Sequence, residues 1–115
     1  MIVKSEKILK IYRLEGPCEL CGRWLPRREV HHVHHRGHGG GSRLDIPQNL
    51  LSLCPHWQGN DCHRLKGDDP AYRATFLHML AVREGFLSGD DVWAYLLAVL
   101  ALPKGSKIPA APVCP

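Results

Sequence analysis

The sequence predicts an α+β fold in which a structural zinc site staples a small strand region, with helices flanking it and a helical pair at the C-terminal end. Three observations predict it. Cysteines recur as Cys18-x-x-Cys21 and then as Cys54 and Cys62. The stretches between them are short apolar or alternating runs, not long helical periods. Beyond residue 68 the apolar spacing becomes helical and is bracketed by capping residues. At 115 residues the chain is most simply one domain, with a core modest enough to gain from a metal staple. It divides into a motif-bearing core (18–67), a helical extension (68–103) and a Pro-rich tail (104–115).

The elements follow in order. Residues 4–14, "KSEKILKIYRL", place Ile8, Ile11 and Tyr12 at helical spacing, so a short N-terminal helix is expected. After Gly22, the stretch from Trp24 to Val33 reads as a strand that delivers His31 and His32. "GHGGGSRLDIP" is a loop with three consecutive glycines. "NLLSLC" is either a buried second strand or a turn into the zinc site, and His63 to Lys66 reads as a helical turn. Asp69 and Pro70 cap and start a helix that runs to about Glu84 and stops at Gly85. Ser88 and Asp91 form a capping signal for a last helix, Asp90 to Leu102, ended by Pro103. Phe76, Leu77, Leu80, Val82, Trp93, Leu96, Leu97 and Leu100 are the expected core of this pair, and His78 is read as a packing or surface histidine.

Composition excludes some classes. The best apolar run, Val92 to Leu102, falls short of the roughly 18 residues of a membrane span. "MIVKSEKILKIYRLEG" mixes charge into its apolar residues, unlike a signal peptide, so a soluble, cytoplasmic protein is expected. Charge is uneven: residues 1–67 hold eleven Lys/Arg against six Asp/Glu, whereas residues 68–115 hold four against five. A basic surplus beside the histidines suits a polyanion such as nucleic acid, though the same charge also fits ordinary solvated surface.

Cys18-Glu-Leu-Cys21-Gly22 is a knuckle whose spacer and glycine let backbone turn around a tetrahedral ion. Cys54 and Cys62 complete four thiolates, a closed structural set. Disulfides are the alternative, and an odd count of five cysteines without an export signal argues against them. Cys114, in the tail, is a bystander.

The order of features is Cys18-x-x-Cys21, His31-His32, the glycine loop, "NLLSLC" from Asn49, then Cys62-His63 with Arg64 and Lys66. In this order the chain resembles the HNH endonucleases of the ββα-metal, or His-Me finger, group, over residues 18–66. Each piece is common, whereas their conjunction is specific. The resemblance implies a ββα-metal, treble-clef-like core. It implies His32 as the general base, Asn49 as the residue that holds loop geometry and supports that base, and His31 and His63 as ligands of one catalytic divalent ion, such as Mg2+, Mn2+, Ni2+ or Zn2+, beside the structural Zn2+ at Cys18, Cys21, Cys54 and Cys62. Imidazole titrates near neutrality and suits the base role. Arg36 is the expected scissile-phosphate contact, with Arg27, Arg28, Arg64 and Lys66 as backbone contacts.

His34-His35 is a second candidate pair. Taking His32 as base places Arg36 four residues on and Gly39-Gly40 seven and eight on, which matches the family spacing, while taking His35 puts Gly39 where the arginine belongs. His34, His35 and His38 are then loop or phosphate-contact residues. One departure stands out: "CPHWQGNDC" has seven residues between its cysteines where common members have two, so His56 could replace a cysteine at zinc. The implied function is metal-dependent DNA hydrolysis by a small, free-standing, phage-type enzyme. Its expected partners are DNA and phage packaging or recombination proteins, in the cytoplasm of a bacterial host or phage-infected cell. The competing class is a zinc-stabilised module that binds nucleic acid or protein without cutting, and a redox or disulfide protein is more distant.

Overall fold

The computed structural model describes residues 1–34, 43–55, 62–63 and 69–111. It is α+β, with two small antiparallel sheets and three α-helices among the described residues. Helix α1 (Glu6–Arg13) starts where the Ser5 hydroxyl accepts from Ile8 N, with Glu6 in the first turn and Arg13 in the last, both favourable to the helix dipole. Its buried residue is Leu9, while Ile11 lies exposed. Of the positions at helical spacing, Ile8 and Tyr12 are half-buried and Ile11 is exposed, and Leu9 is the residue fully covered.

The expected continuous strand from Trp24 to Val33 is broken. β1 (Gly16–Pro17) pairs with β2 (Trp24–Leu25) around the knuckle, and β3 (Glu29–His32) pairs with β4 (Leu50–Leu53). Pro26 separates β2 from β3, since proline gives no N–H to a ladder. "NLLSLC" is the strand of the two readings: all four β4 residues are buried, with α1 and α2 both packing against β4.

A three-residue 3-10 turn, Pro70–Tyr72, capped by the Asp69 carboxylate, leads into α2 (Arg73–Glu84). α3 (Gly89–Ala101) begins one residue earlier than expected, capped by Ser88. A Cβ at Gly89 would stand 2.9 Å from Leu77 Cβ, so glycine lets α3 start against α2. Phe76, Leu77, Leu80 and Leu96 are buried as expected, and Trp93 and Leu100 half-buried. Val82 and Leu97 are not core: they are 72% and 46% exposed. Ala81, Phe86, Val92, Tyr95 and Val99 are buried instead, because the two helices meet along a narrower stripe than their many apolar residues suggest. One buried cluster runs from Cys18 and Leu25 through β4 to α2 and α3. Among the described residues no helix is long and apolar enough to cross a membrane.

Candidate functional site

Gly22 adopts φ 78°, a conformation glycine reaches without strain, and its N–H bonds to Cys18 O at 2.8 Å to close the turn. The ligand atoms of Cys18, Cys21, Cys54 and Cys62 all lie within 4.8 Å of one another, and Cys21 Sγ is 3.4 Å from Cys54 Sγ. All four are free thiols. A tetrahedron with metal–sulfur bonds of about 2.3 Å needs sulfurs about 3.8 Å apart, so the cluster fits a structural metal ion. The set is complete without His56, which lies outside the described residues.

The thiols' acidities make the same point. Burial pushes the Cys21 thiol up, but the Arg23 backbone and hydrogen bonds with Cys54, Cys18 and Cys62 outweigh it and bring it down to about 7. Burial, with the neighbouring sulfurs, pushes Cys62 up to about 11 and Cys54 further above the ordinary thiol range. Four packed thiols resist ionising together, and a divalent cation at their centre removes that resistance. Glu19, inside the knuckle, ties it to the rest of the fold: its carboxylate accepts from Ser52 N at 2.6 Å and from Arg83 Nη1 at 2.6 Å. Arg83 also donates to the carbonyls of Pro47 and Leu50.

The strand period of two then sorts the histidines. Alternate side chains of β3 face opposite ways, so Glu29 and His31 share one face and His32 takes the other. On the first face His31 is buried, 5.4 Å from the His63 ring and 5.1 Å from Phe76, centroid to centroid. His63 Nδ1 lies 2.5 Å from Glu29 Oε2. On the second face His32 Nε2 lies 2.7 Å from Asp45 Oδ1. Asp45 is fully buried. Burial alone would push its carboxyl up, yet Arg43, the Ser5 N–H and His32 outweigh that and bring it down to about 2.

Asn49 is also fully buried and binds across the chain: His34 N donates to its Oδ1 at 2.7 Å, and its Nδ2 donates to the carbonyls of His34 and Leu44 at 3.0 Å each. Val33 N bonds to Asn49 O at 3.0 Å. One amide thus holds the backbone on both sides of residues 35–42. His34 is not an exposed phosphate contact: it is buried, with its ring 4.9 Å from Trp93. The Arg28 guanidinium donates to the carbonyls of Leu14 and Pro17 at the surface, and Arg27 is exposed. Arg36, Arg64, Lys66, His35 and His38 lie outside the described residues.

Glu29 and Asp45 were not singled out by sequence reasoning. The strand period could have found Glu29, since it stands two residues before His31. Asp45 has no such signal, because it stands thirteen residues from His32 along the chain and meets it only in the folded structure.

A thiol-clustered knuckle that could hold a structural metal ion is thus joined to an antiparallel β3–β4 pair, with His63 set against the strand. The HNH endonuclease family model matches residues 18–69, which span all four cluster cysteines, His31, His32, Asn49 and His63. Over this stretch, somewhat under half of its length, the chain is similar to the HNH endonucleases, a family that consists generally of nucleases that act on DNA. No curated protein and no solved structure matches the chain significantly.

Proposed function

We propose that the chain is a divalent-ion-dependent DNA endonuclease in which His32 takes the proton from the attacking water and His31 and His63 hold the catalytic ion. The observation that carries this reading is the parting of adjacent histidines onto two faces of β3. In-line displacement at phosphorus puts the attacking and the leaving oxygen on opposite sides. A base and an ion site on opposite faces of one strand end suit that geometry. When bound, a divalent ion supplies positive charge at the phosphate and at the departing 3′ oxygen. Glu29 holds Nδ1 of His63, which leaves Nε2 as the nitrogen that would ligate the ion, the usual part of a carboxylate beside a ligating histidine. Asn49 fixes the backbone that leads away from His32. Arg36, Arg64, Lys66 and Arg27 are the proposed phosphate contacts, and zinc is the ion proposed for the four cysteines.

Plasmid cleavage by EDTA-treated protein re-supplied with Mg2+, Mn2+, Ni2+ or Zn2+ tests the reading. His32→Ala should keep DNA binding and lose roughly 10²- to 10⁴-fold in rate. His63→Ala should regain part of its activity at higher ion concentration, whereas His32→Ala should not. Salt-sensitive DNA binding without cleavage under every ion would instead leave a binding module.

A further inference from the structure

We infer that Asp45 is the positioning residue of His32, and that residues 3–5, outside the stretch matched to the family, are part of the device that holds it. This rests on the proposed role of His32 as general base. Asp45 Oδ1 meets His32 Nε2 at 2.7 Å and Arg43 Nε at 3.0 Å. Oδ2 accepts from Arg43 Nη2 at 2.7 Å, Arg43 Nε at 3.0 Å and Ser5 N at 2.8 Å. A carboxylate surrounded by a guanidinium and a backbone N–H is held ionised, and an ionised carboxylate only accepts. The His32 nitrogen facing it must therefore carry the hydrogen. In the neutral ring this fixes the Nε2–H tautomer and makes Nδ1 the nitrogen that receives a proton.

Asp45 can do this only if it cannot swing away, and its backbone is held as firmly as its side chain. Val3 pairs with Leu44 in a parallel bridge, with Val3 N to Arg43 O at 2.8 Å and Asp45 N to Val3 O at 2.8 Å. His32 is held in turn by the β3–β4 register opposite Leu50. Both members of the pair thus stand on fixed backbone. A base pre-set in one tautomer and one orientation avoids reorganisation when water attacks, which is the service a buried aspartate gives to the histidine of a hydrolase triad.

The full chain with its cysteine cluster loaded, labelled with ¹⁵N-histidine, provides the test. His32 signals are assigned as those lost in His32→Ala. Long-range proton–nitrogen spectra of the neutral wild-type ring should show a protonated Nε2 and an unprotonated Nδ1. Asp45→Asn, whose amide can donate as well as accept, should mix or reverse the tautomers and lower kcat by roughly 10²-fold or more with KM little changed. An Nδ1–H tautomer in the wild type overturns the inference, and so does an Asp45→Asn enzyme that turns over normally. If Asp45→Asn fails to fold, the wild-type tautomer decides. If His32→Ala cuts DNA at the wild-type rate, the base assignment itself falls, an outcome distinct from an inert Asp45 beside an essential His32.

Discussion

The knuckle and the helical pair solve the same problem by different means. Around Cys18, Cys21, Cys54 and Cys62 the chain has strands of only two residues, β1 and β2, and cross-links them through a thiol cluster that fits an ion. In α2 and α3 it has two long helices that bury Phe76, Leu80, Val92, Leu96 and Val99 against one another and the sheet. Where elements are too short to bury much apolar surface, coordination of an ion at such a cluster would supply what the hydrophobic effect does not. The candidate active site lies between the two regimes, with β3 reached from the knuckle and His31 resting on Phe76 of α2.

The strongest way to break this contrast is to remove the staple. Cys54→Ser, or chelation of the loaded protein, should cost on the order of 10 kcal/mol of metal-linked folding free energy. Hydrogen exchange should then show β1 to β4 losing protection well before α2 and α3. Equal loss in the helices would make the molecule one cooperative unit and dissolve the distinction.

On the helical side, Leu96→Ala should destabilise by roughly 2–5 kcal/mol through transfer and cavity terms, since Leu96 is fully buried. The exposed Val82→Ser on α2 should stay within about 0.5 kcal/mol. Urea midpoints measure both, and the cysteine cluster should still bind its metal in each variant. A large effect at Val82 would mean that its face is covered in solution.

A pH-dependent effect, smaller than the loss of the staple, sharpens the region between. Asp45 is held at about 2 when folded, against an ordinary value of 3.8. A depressed carboxyl adds stability above the unfolded value and loses it as pH falls, so the window runs from about pH 4 down to about pH 2. Wild-type protein should lose on the order of 2 kcal/mol more than Asp45→Asn across that window. Parallel acid titrations of urea stability would show otherwise if the two curves stay the same distance apart.

Much of this was legible in the sequence, and the parts that were not share a cause. Cysteine spacing marked the four cluster residues, because coordination demands particular residue types wherever they fall. Ser88 and Gly85 marked helix ends within a residue, and the Asp69-Pro70 step marked the 3-10 turn that leads into α2, which itself starts three residues later at Arg73, because capping is local chemistry. Val82 and Leu97 misled, since a helix of mostly apolar residues does not say which of them will face a partner. Of the candidate site, His31, His32, Asn49 and His63 stood out through their order along the chain. Glu29 and Asp45 did not, for their relevance comes from the pleat of β3 and from a contact across thirteen residues.

Asn49 has a consequence for how such a domain tolerates substitution. Its amide bonds to His34 on one side and Leu44 on the other, so two stretches of backbone ten residues apart are fixed by one side chain. Replacing that one amide, as in Asn49→Ala, would leave the His34 N–H and two carbonyls without their partner at once, at a cost of about 1–3 kcal/mol for each group left buried and unsatisfied, so a single side chain couples the end of the histidine-bearing strand to the backbone next to Asp45.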